Sequence, residues 1–461
     1  MMERASIDRR MCVQAVSPTL FSATFNPDLL AVNLVAHFQS ETFSTFGSKA
    51  RKAIRRPTVG QAMLRLQQFV DARFYHVLPR EIARINGLHE RETLTDPGDL
   101  EANDYAMAML KKYTSSPESH RLEECCPRDF YLSMGSFPKY VYPIADLLAA
   151  YARRMAGNTG AVLGMTCCAD ECILIAALAV KLGLCSLDDV VIMGSPVHYT
   201  LFLFAGRETF WFNAKRDFLD AAAWSARGGA TAAEREETFL SMSHGYDRII
   251  TPSGSCILGR GPSTLAPHKL VECVERICRF LGFDPGDLQA ATAHPTPATL
   301  RPEAPEVYRA MEGDRPPEEI ARLSKDMAPS GSIPAMARYA HRSLDVPDTT
   351  IYAEAALKGF RTFVHSARVA TADDALAMVR AIRGHQSILS TSPRIALPDE
   401  VLYFETARPA ERALLLYTLL AQSPAFRPDE LASLSIDLQE DGHEVTFCGE
   451  TWSGDDLDGD G

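Results

Sequence analysis

The chain has 461 residues, enough for two to four domains, and its 46% hydrophobic and 23% charged residues are the balance of a globular protein with a sizeable core. A net charge of −12 argues against a general nucleic-acid binder, which needs a basic face; the densest basic cluster, Arg51, Lys52, Arg55 and Arg56, reads as a solvated helix face or turn. The opening MMERASIDRRMCVQAVSP lacks the apolar stretch of a signal peptide, and no apolar run reaches the ~18–20 residues that cross a bilayer, so the expectation is a soluble, cytoplasmic protein.

From Asn26 to Ile85 apolar residues recur at three- and four-residue steps, which predicts helices, with Asp28 and Thr58 as N-caps. Residues 87–125 are polar, a loop around a short helix at AMAMLKKY, and IADLLAAYARRMAG predicts a helix that delivers the chain to Gly164. The stretch from Gly164 to Asn213 then reads as a buried helix from Cys168 to Gly183, a polar turn, and three short strands. Beyond it DFLDAAAWSARGGATAAEREETFLSMS predicts helix, Gly-Gly break and helix; RIITPSG and SCILGRG are short, glycine-rich segments, and HKLVECVERICRFLGF predicts an amphipathic helix.

Residues 293–317 are rich in Pro, Ala and Glu and read as a linker, because proline cannot donate to a helix or sheet interior. Residues 318–452 read as a helical region with one short β-hairpin (LSIDL and HEVTFCG), and 453–461 as a disordered acidic tail. The order helix, turn, strand, strand at 172–213 recurs at 411–452, without a cysteine and at a different spacing, as a coincidence of common pieces.

Eleven cysteines, odd in number and scattered, read as reduced thiols rather than a disulfide framework. Cys167, Cys168, Cys172 and Cys185 lack the paired CxxC spacing of a zinc site, and SCILGRGPST is neither of the phosphate-loop patterns, so no metal or cofactor is expected. The chemistry concentrates in Gly164–Asn213. A thiol in the first turn of a helix, capped by Thr166, has its pKa lowered by the unpaired N–H groups there. A histidine can take its proton, and an Asn or Asp can orient the imidazole. Asp170 and Glu171 work the other way, raising a nearby thiol. Taken singly, Cys168 is a small buried side chain, His198 a core histidine and Asn213 a strand-end residue; together they make a triad.

That constellation resembles the core of the transglutaminase-like superfamily of papain-type thiol enzymes, over residues 135–220. Members carry a Cys opening a buried helix, an acidic residue soon after, a Gly closing it, then strands bearing a His before an aromatic and an Asp near a Trp. Here the helix opens Cys168-Ala-Asp170-Glu171-Cys172 and closes at Gly183, fifteen residues on, which favours Cys168 over Cys167 as nucleophile; His198 precedes Tyr199, and Asn213 follows Trp211 where the family has Asp, with Asp217 the fallback.

The resemblance implies an α+β fold: a helix bearing Cys168 on a small antiparallel sheet, spanning 126–292 after a helical region over 1–125. It implies acyl transfer through a Cys168 thioester, with His198 as base and acid, to an amine or to water. Substrates would be amide- or thioester-bearing, as a protein, a peptide or a carrier-bound acyl group, in a bacterial pathway. A peptidase of the same core, or an inactive helical interaction protein retaining it, are the other readings.

Overall fold

The structure, a computed structural model, describes residues 30–55, 58–76, 164–166, 168–194, 199–213, 217–243, 246, 248–258, 263, 265–284, 307, 310–311, 315–326, 332–357, 360–389, 393–438 and 442–458. Over these the fold is α+β, as expected: helices packed on an antiparallel sheet. Three helices come first, α1 (Leu30–Phe38), α2 (Glu41–Ile54) and α3 (Val59–Asp71). Thr58 caps α3 as predicted, its hydroxyl accepting from the Gln61 N–H at 3.2 Å, whereas Asp28 lies outside the described residues.

The helical reading up to Ile85 is corrected at Phe74–His76, which form strand β1. The two aromatics there favour an extended pleat over continued helix. β1 pairs in parallel with β2 (Gly164–Thr166), setting His76 opposite Thr166. Thr166 is therefore a strand residue, not the helix cap expected of it, and α4 (Cys168–Lys181) begins two residues later.

Every residue of α4 except Asp170 is buried. A helix apolar all round is one enclosed on all sides, and α4 is packed by α1, α2, α3 and the sheet. It closes where predicted: Gly183 takes φ +68°, and the Leu184 N–H reaches back to the Ala179 carbonyl at 2.9 Å. This is the glycine-terminated cap in which only a residue without Cβ sits easily.

The main sheet has six antiparallel strands in the order β6-β5-β4-β3-β7-β8. They are β3 (Val190–Gly194), β4 (Tyr199–Ala205), β5 (Glu208–Asn213), β6 (Asp217–Leu219), β7 (Arg248–Thr251) and β8 (Gly254–Ile257). Both faces are covered, which is why its central strands are continuous apolar runs rather than alternating ones. Val190, Ile192, Leu201, Leu203, Phe210, Phe212 and Ile250 join the core on the α4 side. Val191, Met193, Phe202, Phe204, Trp211 and Ile249 join the other, beneath α5 (Ala221–Gly228), α6 (Ala232–Ser243) and α7 (Pro267–Leu281). The predicted Gly-Gly break falls between α5 and α6, with Gly229 at φ +83°.

The α4-side core continues into the C-terminal helices. They are α8 (Pro317–Asp326), α9 (Ile333–Ala340), α10 (Thr350–Ala356), α11 (Phe360–Ser366), α12 (Ala372–Arg380), α13 (Pro398–Phe404), α14 (Pro409–Gln422) and α15 (Pro428–Leu431). α9 lies directly against the buried α1, so the region after 318 shares apolar core with the helices before 72. Its expected hairpin is a three-stranded sheet, β9 (Ser435–Leu438), β10 (His443–Phe447) and β11 (Glu450–Ser453), in the order β11-β10-β9. The extra strand follows a two-residue turn in which Cys448 and Gly449 take φ +51° and +87°, the left-handed pair that matches strand twist. α14 packs on β10 as α4 packs on β4, the one ahead of a three-strand meander and the other ahead of a four-strand one.

The acidic end departs from the disordered tail expected of it. Asp455–Leu457 form a 3-10 turn with Leu457 fully buried, and Asp458 meets the Arg412 guanidinium at 3.0 Å and the His385 ring at 2.8 Å. Asp456 also accepts from the Ser453 N–H and hydroxyl, and the Gly454 N–H reaches the His443 carbonyl, so six of the nine residues are held; 459–461 lie outside the described residues.

Candidate active site

Chain direction decides which groups can meet. The chain leaves α4 at Lys181, turns through Gly183, and enters β3 by the 3-10 turn Leu187–Asp189. β3 therefore runs back along the helix, and its last residue, Gly194, lies at the Cys168 end. β4 departs from that end, β5 returns to it, β6 departs again, and β7 starts there. The register fixes the neighbours: Gly194 opposite both Tyr199 and Arg248, Thr200 opposite Asn213, and Asn213 opposite Asp217. Both candidates for the third triad position thus sit side by side at the end of the sheet that faces the helix start.

Cys168 is the first residue of α4 and is only 4% exposed. Its backbone N–H is among those a helix leaves without an intrahelical partner, and its sulfur stands at the positive end of the helix dipole. Cys172, one turn on, is equally buried and belongs to the core, as expected.

On the opposite face of the sheet, Thr200 is fully buried; its hydroxyl donates to the Phe212 carbonyl at 2.8 Å and accepts from the Trp211 indole N–H at 2.6 Å. Trp211 is stacked on Phe202 with ring centroids 5.4 Å apart. This pins the ends of β4 and β5 beside each other, with Asn213, 6% exposed, directly across from Thr200.

Tyr246, just before β7, ties the two faces together. Its ring packs on Phe239 at 5.7 Å. Burial pushes its phenol well above the ordinary range; Thr200 offsets part of the shift, and negative charge on Cys172 and Cys168 adds to it. The phenol is therefore within electrostatic reach of both sulfurs.

On the α4 side of the sheet, Tyr199 and Arg248 occupy the space that glycine at 194 leaves. A Cβ there would meet Tyr199 Cε1 at 2.6 Å and Arg248 Cγ and Cδ at 2.8 and 2.9 Å. Tyr199 and the Arg248 stem fold over the bare backbone of Gly194.

Of the residues singled out from sequence, Cys168, Asn213 and Asp217 are brought to one end of the sheet, with Asn213, two along from Trp211 and paired with Thr200, on the face turned away from α4. His198 and Cys167 lie outside the described residues; His198 directly precedes Tyr199, the first residue of β4. Strand register sets Gly194, Thr200 and Arg248 at the same sheet end, and Tyr246 stands just before β7; no spacing in the sequence announces these neighbours. Other thiols are set apart: burial, with Asp189 adding to it, pushes Cys185 far up, and burial pushes Cys273 to about 12. Among the described residues, no group of three or more His, Cys, Asp or Glu could hold a metal ion, and no helix is long and apolar enough to cross a membrane. Compared with protein-family models, curated proteins and solved structures, the chain has no match in any of the three.

Proposed function

We propose that the chain is a transglutaminase-like thiol acyltransferase working through Cys168. The observation that carries this reading is the placement of Cys168 at the first turn of an enclosed helix, against the sheet end where β4 begins and β5 finishes. In the proposed reaction His198 takes the Cys168 proton and the thiolate attacks the carbonyl of an amide or thioester. The backbone N–H at residue 168 donates to the developing oxyanion. The tetrahedral adduct collapses to a thioester as His198 returns the proton to the departing amine or thiol. An amine or water then attacks the thioester, with His198 again taking a proton, and Cys168 leaves as the thiol. Asn213 orients the imidazole; Asp217, its cross-strand neighbour, is the alternative. The burial of Cys168 supports transfer to an amine over hydrolysis, since water is largely kept from the sulfur.

The test is alkylation of Cys168 by iodoacetamide across pH, followed by peptide mass spectrometry. The expected outcome is labelling with an apparent pKa well below the ~8.5 of a free thiol, lost in His198→Ala. A Cys168 that stays inert in the folded protein, or labels equally in His198→Ala, would sink the proposal.

A further inference from the structure

We infer that His443 is an acid-operated latch on the C-terminal turn, residues 454–458: the turn is docked while the ring is neutral and is released when the ring takes a proton. The inference is independent of the chemistry at Cys168. His443 opens β10, and the two-residue period of a strand puts it on the side where Val445 and Phe447 enter the core under α14. Its backbone carbonyl accepts from the Gly454 N–H at 2.7 Å, so the residue that carries the ring also holds the start of the turn. Gly454 in turn lies against the first residue of α14, since a Cβ there would meet the Pro409 carbonyl oxygen at 2.6 Å. Leu457, fully buried, and Asp458, 3.0 Å from the Arg412 guanidinium, complete the docking.

The ring is half-buried, and its Nδ1 is sealed from solvent with no hydrogen-bond partner among the described residues. A neutral ring tolerates this by leaving that nitrogen without a proton. An imidazolium cannot, because both its nitrogens are then charged donors. Burial therefore holds the ring below the ordinary histidine value; Asp455 on the turn and Asp437 on β9 work against that shift, and Arg408, just ahead of α14, adds to it. Once the turn is released the ring regains its ordinary value of ~6.5, so the released form binds the proton more tightly than the docked one. Docking is then complete above about pH 6.5 and weakens as pH falls below it, by at most about tenfold per pH unit for one proton. The other imidazole on the turn, His385, lies 2.8 Å from Asp458, and a proton there strengthens docking, so it opposes the release.

The experiment is hydrogen exchange of the C-terminal amides in the full chain, read by mass spectrometry and corrected for the intrinsic pH dependence of exchange. From about pH 7.5 to 5.5, above the range where ordinary carboxylates titrate, wild-type protection over residues 454–458 is expected to fall roughly five- to tenfold. His443→Phe, which fills the site and cannot charge, should show equal protection at both pH values, and His385→Gln should keep the fall. Should His443→Phe open the turn at both, His443→Gln is read in its place, and the His443 ring is titrated by NMR in the wild-type protein, which carries no folding risk. Wild-type protection that does not change with pH overturns the latch. So does a fall of the same size in an uncharged variant, or a His443 ring that titrates at or above ~6.5.

Discussion

The hydroxyl of Thr200 offers a test in which hydrophobicity and hydrogen bonding predict opposite orders. Thr200 is fully buried, as is Trp211, and the one hydroxyl serves as acceptor for the indole N–H and donor to the Phe212 carbonyl. Thr200→Val keeps the shape and adds apolar surface, worth about 0.8 kcal/mol for the group exchanged. It also strands the indole N–H in a dry cluster at about 1–3 kcal/mol and loses the bond to the carbonyl, about 1 kcal/mol more. The net loss is about 1–3 kcal/mol. Thr200→Ser keeps both bonds and removes only a methyl, at about 1 kcal/mol. Urea unfolding in a Trp452→Phe background, which leaves Trp211 and Trp224 as reporters within the same core, measures the difference. The valine variant is expected to be the less stable, by up to about 2 kcal/mol. A valine variant as stable as the serine one would show that the hydroxyl does not hold β4 to β5, and the positioning assigned to Asn213 across from it would go too.

Two further outcomes follow from other buried groups. Arg342 and Glu400 are both fully buried and paired at 2.6 and 2.8 Å, and Glu400 also accepts from the Leu397 N–H at 2.9 Å. Glu400→Gln leaves the guanidinium charge without its counterion and should cost about 3–5 kcal/mol by chemical unfolding, while Arg342→Met with Glu400→Leu should cost less than the single change; equal losses would refute the argument from an unpaired charge. Cys273 has its thiol pushed to about 12, by burial first, so it should resist alkylation at pH 9 while Cys168 labels. The sign for stability follows: the folded thiol keeps its proton where the unfolded one loses it, so this contribution is complete below the unfolded value near 9 and is lost as pH rises towards 12. Stability should therefore fall between pH 9 and 11 less steeply in Cys273→Ala than in wild type, by at most about 1.4 kcal/mol per pH unit; identical slopes would contradict it.

What could be read along the chain was whatever repeats at short range. Thr58 announced its helix because a cap acts within three residues. Gly183 announced the end of α4 because its left-handed turn admits little else. The runs VVIMG, TLFLFA and FWF announced strands covered on both sides. Phe74–His76 were misread because a parallel pairing with residues some ninety positions later outweighed the local helical pattern. The end of the chain was misread because its charge suggested solvation, while one leucine and one carboxylate found partners on α12–α14 and its flanking turns.

The same division holds at the site. Sequence by itself determined the setting of Cys168: a cysteine in the first turn of a helix too apolar to be anything but enclosed, with an asparagine closing a strand downstream. The tertiary structure alone decided what stands around that cysteine. Strand order set β7 beside β3 and so carried Tyr246 to the sulfurs and Arg248 across Gly194; register set Asn213 between Thr200 and Asp217. The reason is physical. Helix starts and caps are fixed by hydrogen bonds within one turn, whereas the company a thiol keeps is fixed by which strands find one another, and that is settled by burying both faces of one sheet at once.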